Sequence, residues 1–187
     1  MALLPITLYG DKILRKKGNR VSEVNAETIA LIKNMFDTMR NANGIGLAAN
    51  QVGSDKSIFV VDVSVIEGNE HIKPIALINP DIKFYSEEKV FIEEGCLSIP
   101  EVRAEVERPK IIKITYQDSE LQKHTIEADG ILARVMQHEY DHLQGILFTD
   151  RISDEIKKEL KKDLNLIRKR EIEIDYPVTE DPDYQLK

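Results

Sequence analysis

Two of the four histidines in this 187-residue chain stand four apart around a glutamate, in the stretch "QHEYDH". On a helix, at about 100° per residue, His138 and His142 project from one side, together with Ile131 and Val135. An imidazole on an otherwise apolar side needs a partner, because burying an unpaired polar group is costly. A divalent metal ion is such a partner. The His-Glu-x-x-His spacing is that of metallohydrolases in which both rings bind one ion and the glutamate, here Glu139, handles protons. A pair of histidines four apart also arises by chance, so the reading turns on whether the chain supplies a third ligand.

Metzincin proteases take theirs from a histidine six residues after the second one. This chain places Gly145 correctly for that pattern and then Phe148 at the ligand position, where a phenyl ring cannot coordinate. Glu155 and Glu159 lie downstream, in a charged turn and helix face that read as solvated. Cys96 remains, within "EEGCLSIPEVRAEVERP". A lone cysteine is ordinarily a small buried filler. This one closes a strand at a turn, after Gly95 and before Ser98 and Pro100, with Glu93, Glu94 and Arg103 nearby. A thiolate next to a divalent ion is deprotonated outright. One cysteine and two histidines form a tripod that leaves the fourth position open to water, which is the catalytic arrangement.

A third stretch, "NGIGLAANQVG", spaces Gly44, Gly46 and Ala49 like a dinucleotide fingerprint. It follows a helix and precedes a strand, the wrong context for that function. Its two glycines instead allow backbone to approach a ligand closely, and Gln51 offers a side-chain amide.

These residues must be positioned by the elements around them. Residues 25–41 read as a helix, with Asn25 as N-cap and Ile29, Ile32, Met35, Phe36 and Met39 as its apolar stripe. β-branched and aromatic runs follow in "SIFVVDVSV", "PIALINPDIKFY" and "KVFIEEG", and "EVRAEVERP" alternates. "KIIKITYQDSELQKHTIEA" reads as a hairpin turning at Gln117–Glu120. Short strands joined by short turns imply antiparallel sheets rather than βαβ units. The histidine helix spans residues 130–144, with a second apolar face (Leu132, Met136, Leu143, Tyr140 at its edge) and a polar stripe of Arg134, Gln137, Asp141 and Gln144. It is expected to be buried on most of its girth with one wet strip. A last helix is expected over 153–170, capped by Ser153. The fold class is therefore α+β, with antiparallel sheets packed around the central helix, an N-terminal helix and a C-terminal one.

Length and composition fit one domain with a sizeable core, with 42% hydrophobic and 32% charged residues. We expect a single catalytic domain over residues 1–170 and, from 171 to 187, an acidic tail that is an edge strand or loose. Net charge is −7, which argues against broad binding of DNA or other nucleic acid by the body of the protein. Residues 151–170 carry eight Lys/Arg and four Asp/Glu, while the tail carries six acids and one lysine. No apolar run approaches the roughly 18 residues that span a bilayer. The start, "MALLPITLYG", lacks the basic region of a signal peptide, so a cytoplasmic protein without membrane contact is expected.

"GIGLAANQVG", "EGCLSIP" and "QHEYDHLQG" stand in the order, and at roughly the separations, of the three motifs of peptide deformylases. The chain resembles that family over about residues 5–150. The short path between the first two motifs is similar to the form common in Gram-negative bacteria. The resemblance implies that Cys96, His138 and His142 are the metal ligands and Glu139 the catalytic acid/base. It implies that the Leu97 backbone N–H and the Gln51 amide face the oxyanion. Ile45 and Gly46 then line the substrate cleft, and Val135 helps form the pocket for a methionine side chain. Glu94 and Arg103 are expected as an ion pair holding the cysteine loop from behind the ligands. Asn50 stands where other members carry Thr or Pro and receives no role.

The activity so implied is removal of the formyl group from the N-terminal methionine of newly made polypeptides. Fe²⁺ is the implied working ion, in a site that Zn²⁺, Ni²⁺ or Co²⁺ can also occupy. N-formylmethionyl nascent chains are the implied partners, with ribosomal contact through helix 153–170 as a further expectation. A metallopeptidase and a noncatalytic metal-binding, ribosome-associated module are the alternatives. Phe148 and the cysteine loop count against the first, Glu139 and Gln51 against the second.

Overall fold

The computed structural model describes residues 2–186. Its centre is β2 (Ile58–Val61), the run Ile-Phe-Val-Val, buried at all four positions. A strand without a polar face must be covered on both sides. Phe59 and Val61 face one core, and Ile58 and Val60 face another. β2 lies second in an antiparallel five-stranded sheet with the order β1-β2-β3-β6-β7. The other members are β1 (Gly46–Ala48), β3 (Ile75–Tyr85), β6 (Ile112–Gln117) and β7 (Lys123–Ala128). The β6–β7 hairpin matches the expected one.

α1 (Ala26–Asn41) covers one face of the sheet. Asn25 caps it as expected, its Oδ1 accepting from the Thr28 N–H at 2.9 Å. Met35 and Met39 are fully buried, but Ile29 is 47% exposed and Leu31 takes the inward position instead. α2 (Gly130–Leu143) covers the opposite face, packing Val135, Met136 and Leu143 against Phe59, Val61 and Leu77.

β4 (Lys89–Cys96) and β5 (Ile99–Pro109) form a separate antiparallel pair. The alternation of β5 is real: Val102, Ala104 and Val106 are buried and the residues between them are exposed. This inner face meets a third core that includes Leu8, Phe148, Leu164 and Ile167. The helix expected over 153–170 is two helices, α3 (Asp154–Glu159) and α4 (Lys161–Arg168), with Leu160 between them. Ile156, Leu160, Leu164 and Ile167 stay on one side across the break and all reach the third core.

Two expectations are corrected by the packing. The polar stripe of α2 is not wet: Arg134, Gln137 and Asp141 are each 4% exposed, because the β4–β5 hairpin covers that side and supplies their partners. The tail is neither a strand of any length nor loose. It makes one parallel bridge, Ile6 to Val178, and its Ile172, Ile174 and Val178 enter the third core. Buried Asp11 accepts from Thr179 Oγ1 at 2.7 Å and from Arg170 Nη2 at 2.5 Å, joining the chain's start to the tail. Farther on, the Leu186 N–H donates to the Gly53 carbonyl at 2.9 Å.

Candidate functional site

Three segments converge beside α2. The hairpin brings Cys96 at the end of β4, α2 brings His138 and His142, and the segment entering β1 brings Ile45, Gly46 and, a turn later, Gln51. The donor atoms of Cys96, His138 and His142 lie within 4.8 Å of one another. Cys96 Sγ is 3.2 Å from His142 Nε2, which is 3.3 Å from His138 Nε2. All three expected ligands are thus together.

The residue behind His138 sets its orientation. Glu94 Oε2 is 2.9 Å from His138 Nδ1, which fixes that nitrogen as the protonated one and turns the Nε2 lone pair into the site. Burial opposes ionisation of Glu94, but hydrogen bonds from His138 and Arg108 outweigh it and hold the carboxyl well below the usual carboxylate range. Burial likewise disfavours a charged His138, yet Cys96 and Glu94 raise its pKa well above the ordinary value. Burial, with His138 and Arg108 nearby, pushes His142 well down. Cys96 and Glu94 draw positive charge to the point where two imidazole nitrogens and a sulfur converge, and a metal ion bound there would take the place of the His138 Nε2 proton. That is the chemistry of a site for a divalent cation, and this mixed nitrogen–sulfur set suits Fe, Zn, Co or Ni.

The expected partner of Glu94 is corrected. Arg103 is exposed and makes no ion pair among the described residues, whereas Arg108 reaches Glu94 with Nε at 2.6 Å and Nη2 at 2.9 Å. Strand parity explains the difference. Glu94 is opposite Ala104 and Gly95 opposite Arg103, so Arg103 points to the other face. Arg108 belongs to the buried alternate set of β5. Arg134 Nη1 adds a third cation contact to Glu94 at 2.8 Å, and Arg108 continues to Asp141 at 2.6 Å. A charged residue in phase with Val102, Ala104 and Val106 was the sequence signal for Arg108.

Glu139 sits in α2 beside the tripod, 4% exposed, and its Oε2 has no hydrogen-bond partner among the described residues. Burial pushes its pKa up to about 7, with His138 and Arg108 pulling down and Glu94 adding to the rise. A carboxyl poised near neutrality can both take and return a proton. Gly46 is required by close approach: a Cβ there would lie 2.7 Å from Val135 Cγ1 and 2.9 Å from Glu139 Cδ. Gln51 is locked by the Ala48 N–H donating to its Oε1 at 2.8 Å, which aims Nε2 toward Ser98 Oγ (3.2 Å) and Cys96 Sγ (3.5 Å).

A cleft of about 820 Å³ opens over these groups, lined by Ile45, Gly46, Gln51, Leu97, Val135 and Glu139 among others. β1 is an edge strand, so one side of its backbone is unpaired by the sheet. Two supports carried no functional sign in the sequence. Asn50 Nδ2 donates to the His142 carbonyl at 2.6 Å, and Phe148 stacks on the His138 ring with centroids 6.3 Å apart. The phenylalanine at the metzincin ligand position thus packs a ligand rather than replacing one. Tyr176, from the tail, also lines the cleft and donates to the Leu97 carbonyl at 2.7 Å. Burial, with Cys96, Asp175 and Glu101 nearby, raises its pKa, so it remains a donor.

Three convergent metal donors, a buried carboxyl and an adjacent cleft have the form of a metal-dependent hydrolase. The family model for polypeptide deformylase matches residues 3–158. The chain is 46% identical to the peptide deformylase of Salinibacter ruber, over 96% of each chain, and 44% identical to that of Chlorobium phaeobacteroides, over 94% of this chain and 95% of the relative. Among solved structures it is similar to a plant peptide deformylase (TM-score 0.85, 36% identity, 94% of this chain and 97% of the other). It is similar too to the Thermotoga maritima peptide deformylase (TM-score 0.76, 42% identity, 82% and 99%). The chain belongs to the polypeptide deformylase family.

Proposed function

We propose that the protein hydrolyses the N-formyl group from the terminal methionine of newly synthesised polypeptides, releasing formate. The observation that carries this reading is the unpartnered Glu139 carboxyl oxygen, buried beside the Cys96–His138–His142 donors in an open cleft. When bound, a divalent cation held by those three residues supplies Lewis acidity that acidifies water and polarises a carbonyl. Glu139 takes the water proton and returns it to the departing methionine amine, so each turnover leaves the carboxylate as it began. The Gln51 Nε2 and the Leu97 N–H donate to the oxygen that gains negative charge. The peptide lies extended along the free edge of β1, adding a strand at Gly46. Val135 and Ile45 offer apolar contact for the methionine side chain. Fe²⁺ is our assignment for the cellular ion, with Zn²⁺, Ni²⁺ or Co²⁺ able to take its place.

The test is formate release from a formyl-Met tripeptide beside two controls, an acetyl-Met tripeptide and a blocked internal peptide. An added methyl would crowd the carbonyl carbon among the three metal donors, the Gln51 amide and the Leu97 N–H, and would make that carbon less electrophilic. The formyl substrate should be hydrolysed far faster than the acetyl one, with the internal peptide intact. Cleavage of the internal peptide would identify a metallopeptidase instead.

A second reading concerns location. Lys158, Lys161, Lys162 and Lys169 on or beside α3 and α4 are exposed, which supports contact with ribosomal RNA near emerging substrate. No helix among the described residues is long and apolar enough to cross a membrane. A free thiol at the centre of the site supports a cytoplasmic location, where thiols stay reduced.

A further inference from the structure

The turn that joins β4 to β5 has backbone groups that the ladder does not pair. The ladder shifts after Gly95 and resumes with Cys96 opposite Ile99, leaving Leu97 and Ser98 outside it. Backbone groups outside a ladder need other partners or they wander. The Ser98 carbonyl has one, the Tyr9 N–H at 2.8 Å. The Leu97 carbonyl has one too, the Tyr176 hydroxyl at 2.7 Å. The Leu97 side chain is packed against the end of α1, where a Cβ on Gly44 would lie 2.7 Å from Leu97 Cδ1. The Leu97 and Ser98 N–H groups are left without an acceptor among the described residues. Leu97 is held at its carbonyl and its side chain, and its remaining polar group is free for a ligand.

Tyr176 is itself firmly placed. The next residue's carbonyl accepts from the Ile6 N–H at 2.9 Å, and Thr179 donates back to Ile6 through its N–H at 2.9 Å and to Asp11 through its hydroxyl. Pro177 fixes its own φ and limits the conformations of Tyr176. Tyr176, Pro177 and Thr179 lie beyond residues 3–158, the part that the family model matches. We infer that Tyr176 is a positioning residue for deformylation: its hydroxyl clamps the Leu97 carbonyl so that the Leu97 N–H meets the substrate's formyl oxygen. The inference rests on the functional reading above and gives the C-terminal tail a part in it.

The test is Tyr176→Phe in the full chain, which deletes one oxygen and keeps the ring in the cleft wall. Loss of one neutral hydrogen bond that aims an oxyanion donor should lower kcat about tenfold, with KM, metal content and Tm close to wild type. In the zinc-loaded protein, the Leu97 amide resonance should move and its hydrogen exchange quicken. Tyr176→Leu should add a raised KM, because the ring is lost as well. Wild-type kcat in Tyr176→Phe, or an unmoved Leu97 amide, would overturn the inference. A metal-loaded wild type that releases no formate would instead refute the functional reading, a failure seen without any variant.

Discussion

Glu94→Gln tests the scaffold behind the donors. The carboxylate accepts from Arg108 Nε and Nη2, Arg134 Nη1 and His138 Nδ1 at 2.6–2.9 Å, and its side chain is 3% exposed. Removing one partner of a buried charge pair costs about 3–5 kcal/mol. Glutamine keeps one acceptor oxygen, and Arg108 keeps Asp141, so the lower end applies. In a chain of this length each kcal/mol moves Tm by about 2–4 °C, so the metal-free protein should lose roughly 6–12 °C. Loss of the group that orients a ligating histidine lowers metal affinity about 10–100-fold. Because the ion binds the folded state alone, the loaded protein should lose still more. The pKa of Glu94 is depressed by folding from its ordinary 4.5. Its contribution is therefore complete above about pH 5 and is lost only as pH falls through the folded-state value. Thermal unfolding with and without zinc, a chelator competition and a pH series measure all of this. Arg103→Ala is the control and should leave stability and metal affinity alone. A Glu94→Gln protein with wild-type Tm and affinity would refute the assignment, as would an Arg103→Ala protein that matches its losses.

Gly46→Ala should keep its metal but lose about 10²-fold in kcat/KM or more, since the new Cβ must displace Glu139 or Val135; metal analysis and turnover on one sample check it. Protein prepared without oxygen should contain iron and be fast, then decay in air through oxidation of the metal or of Cys96, while a Ni²⁺- or Co²⁺-exchanged form survives; elemental analysis beside formate release decides the assignment. Co-sedimentation with ribosomes should fall steeply between low and moderate salt if the exposed lysines of α3 and α4 meet phosphates. Replacing Lys158, Lys161 and Lys162 by glutamate should abolish it.

Much of the site was legible because its chemistry is exclusive. One cysteine, two histidines in helical phase and a phenylalanine that cannot coordinate leave few ways to complete a tripod. The strands and their antiparallel pairing followed from alternation and short turns. What failed to show was partnership at long range. Arg134, Gln137 and Asp141 looked like a water-facing stripe because periodicity reports polarity, not what lies opposite; the hairpin supplies buried partners that only tertiary structure reveals. The ion pair expected between Glu94 and Arg103 fails because pleat parity turns Arg103 away and selects Arg108. The tail has little apolar content, yet buried Asp11 and the third core hold it. Asn50 had no readable role because its partner is a backbone carbonyl 92 residues away.

The central claim is that Glu139 moves protons in a site whose metal is held by other residues. Its most direct test is metal content and formate release measured on the same preparation of Glu139→Ala. All three donors remain in that variant, so the metal should stay at wild-type stoichiometry while turnover falls by about 10²–10⁴-fold, the usual worth of a general acid/base. Full metal with near-normal formate release would contradict the account.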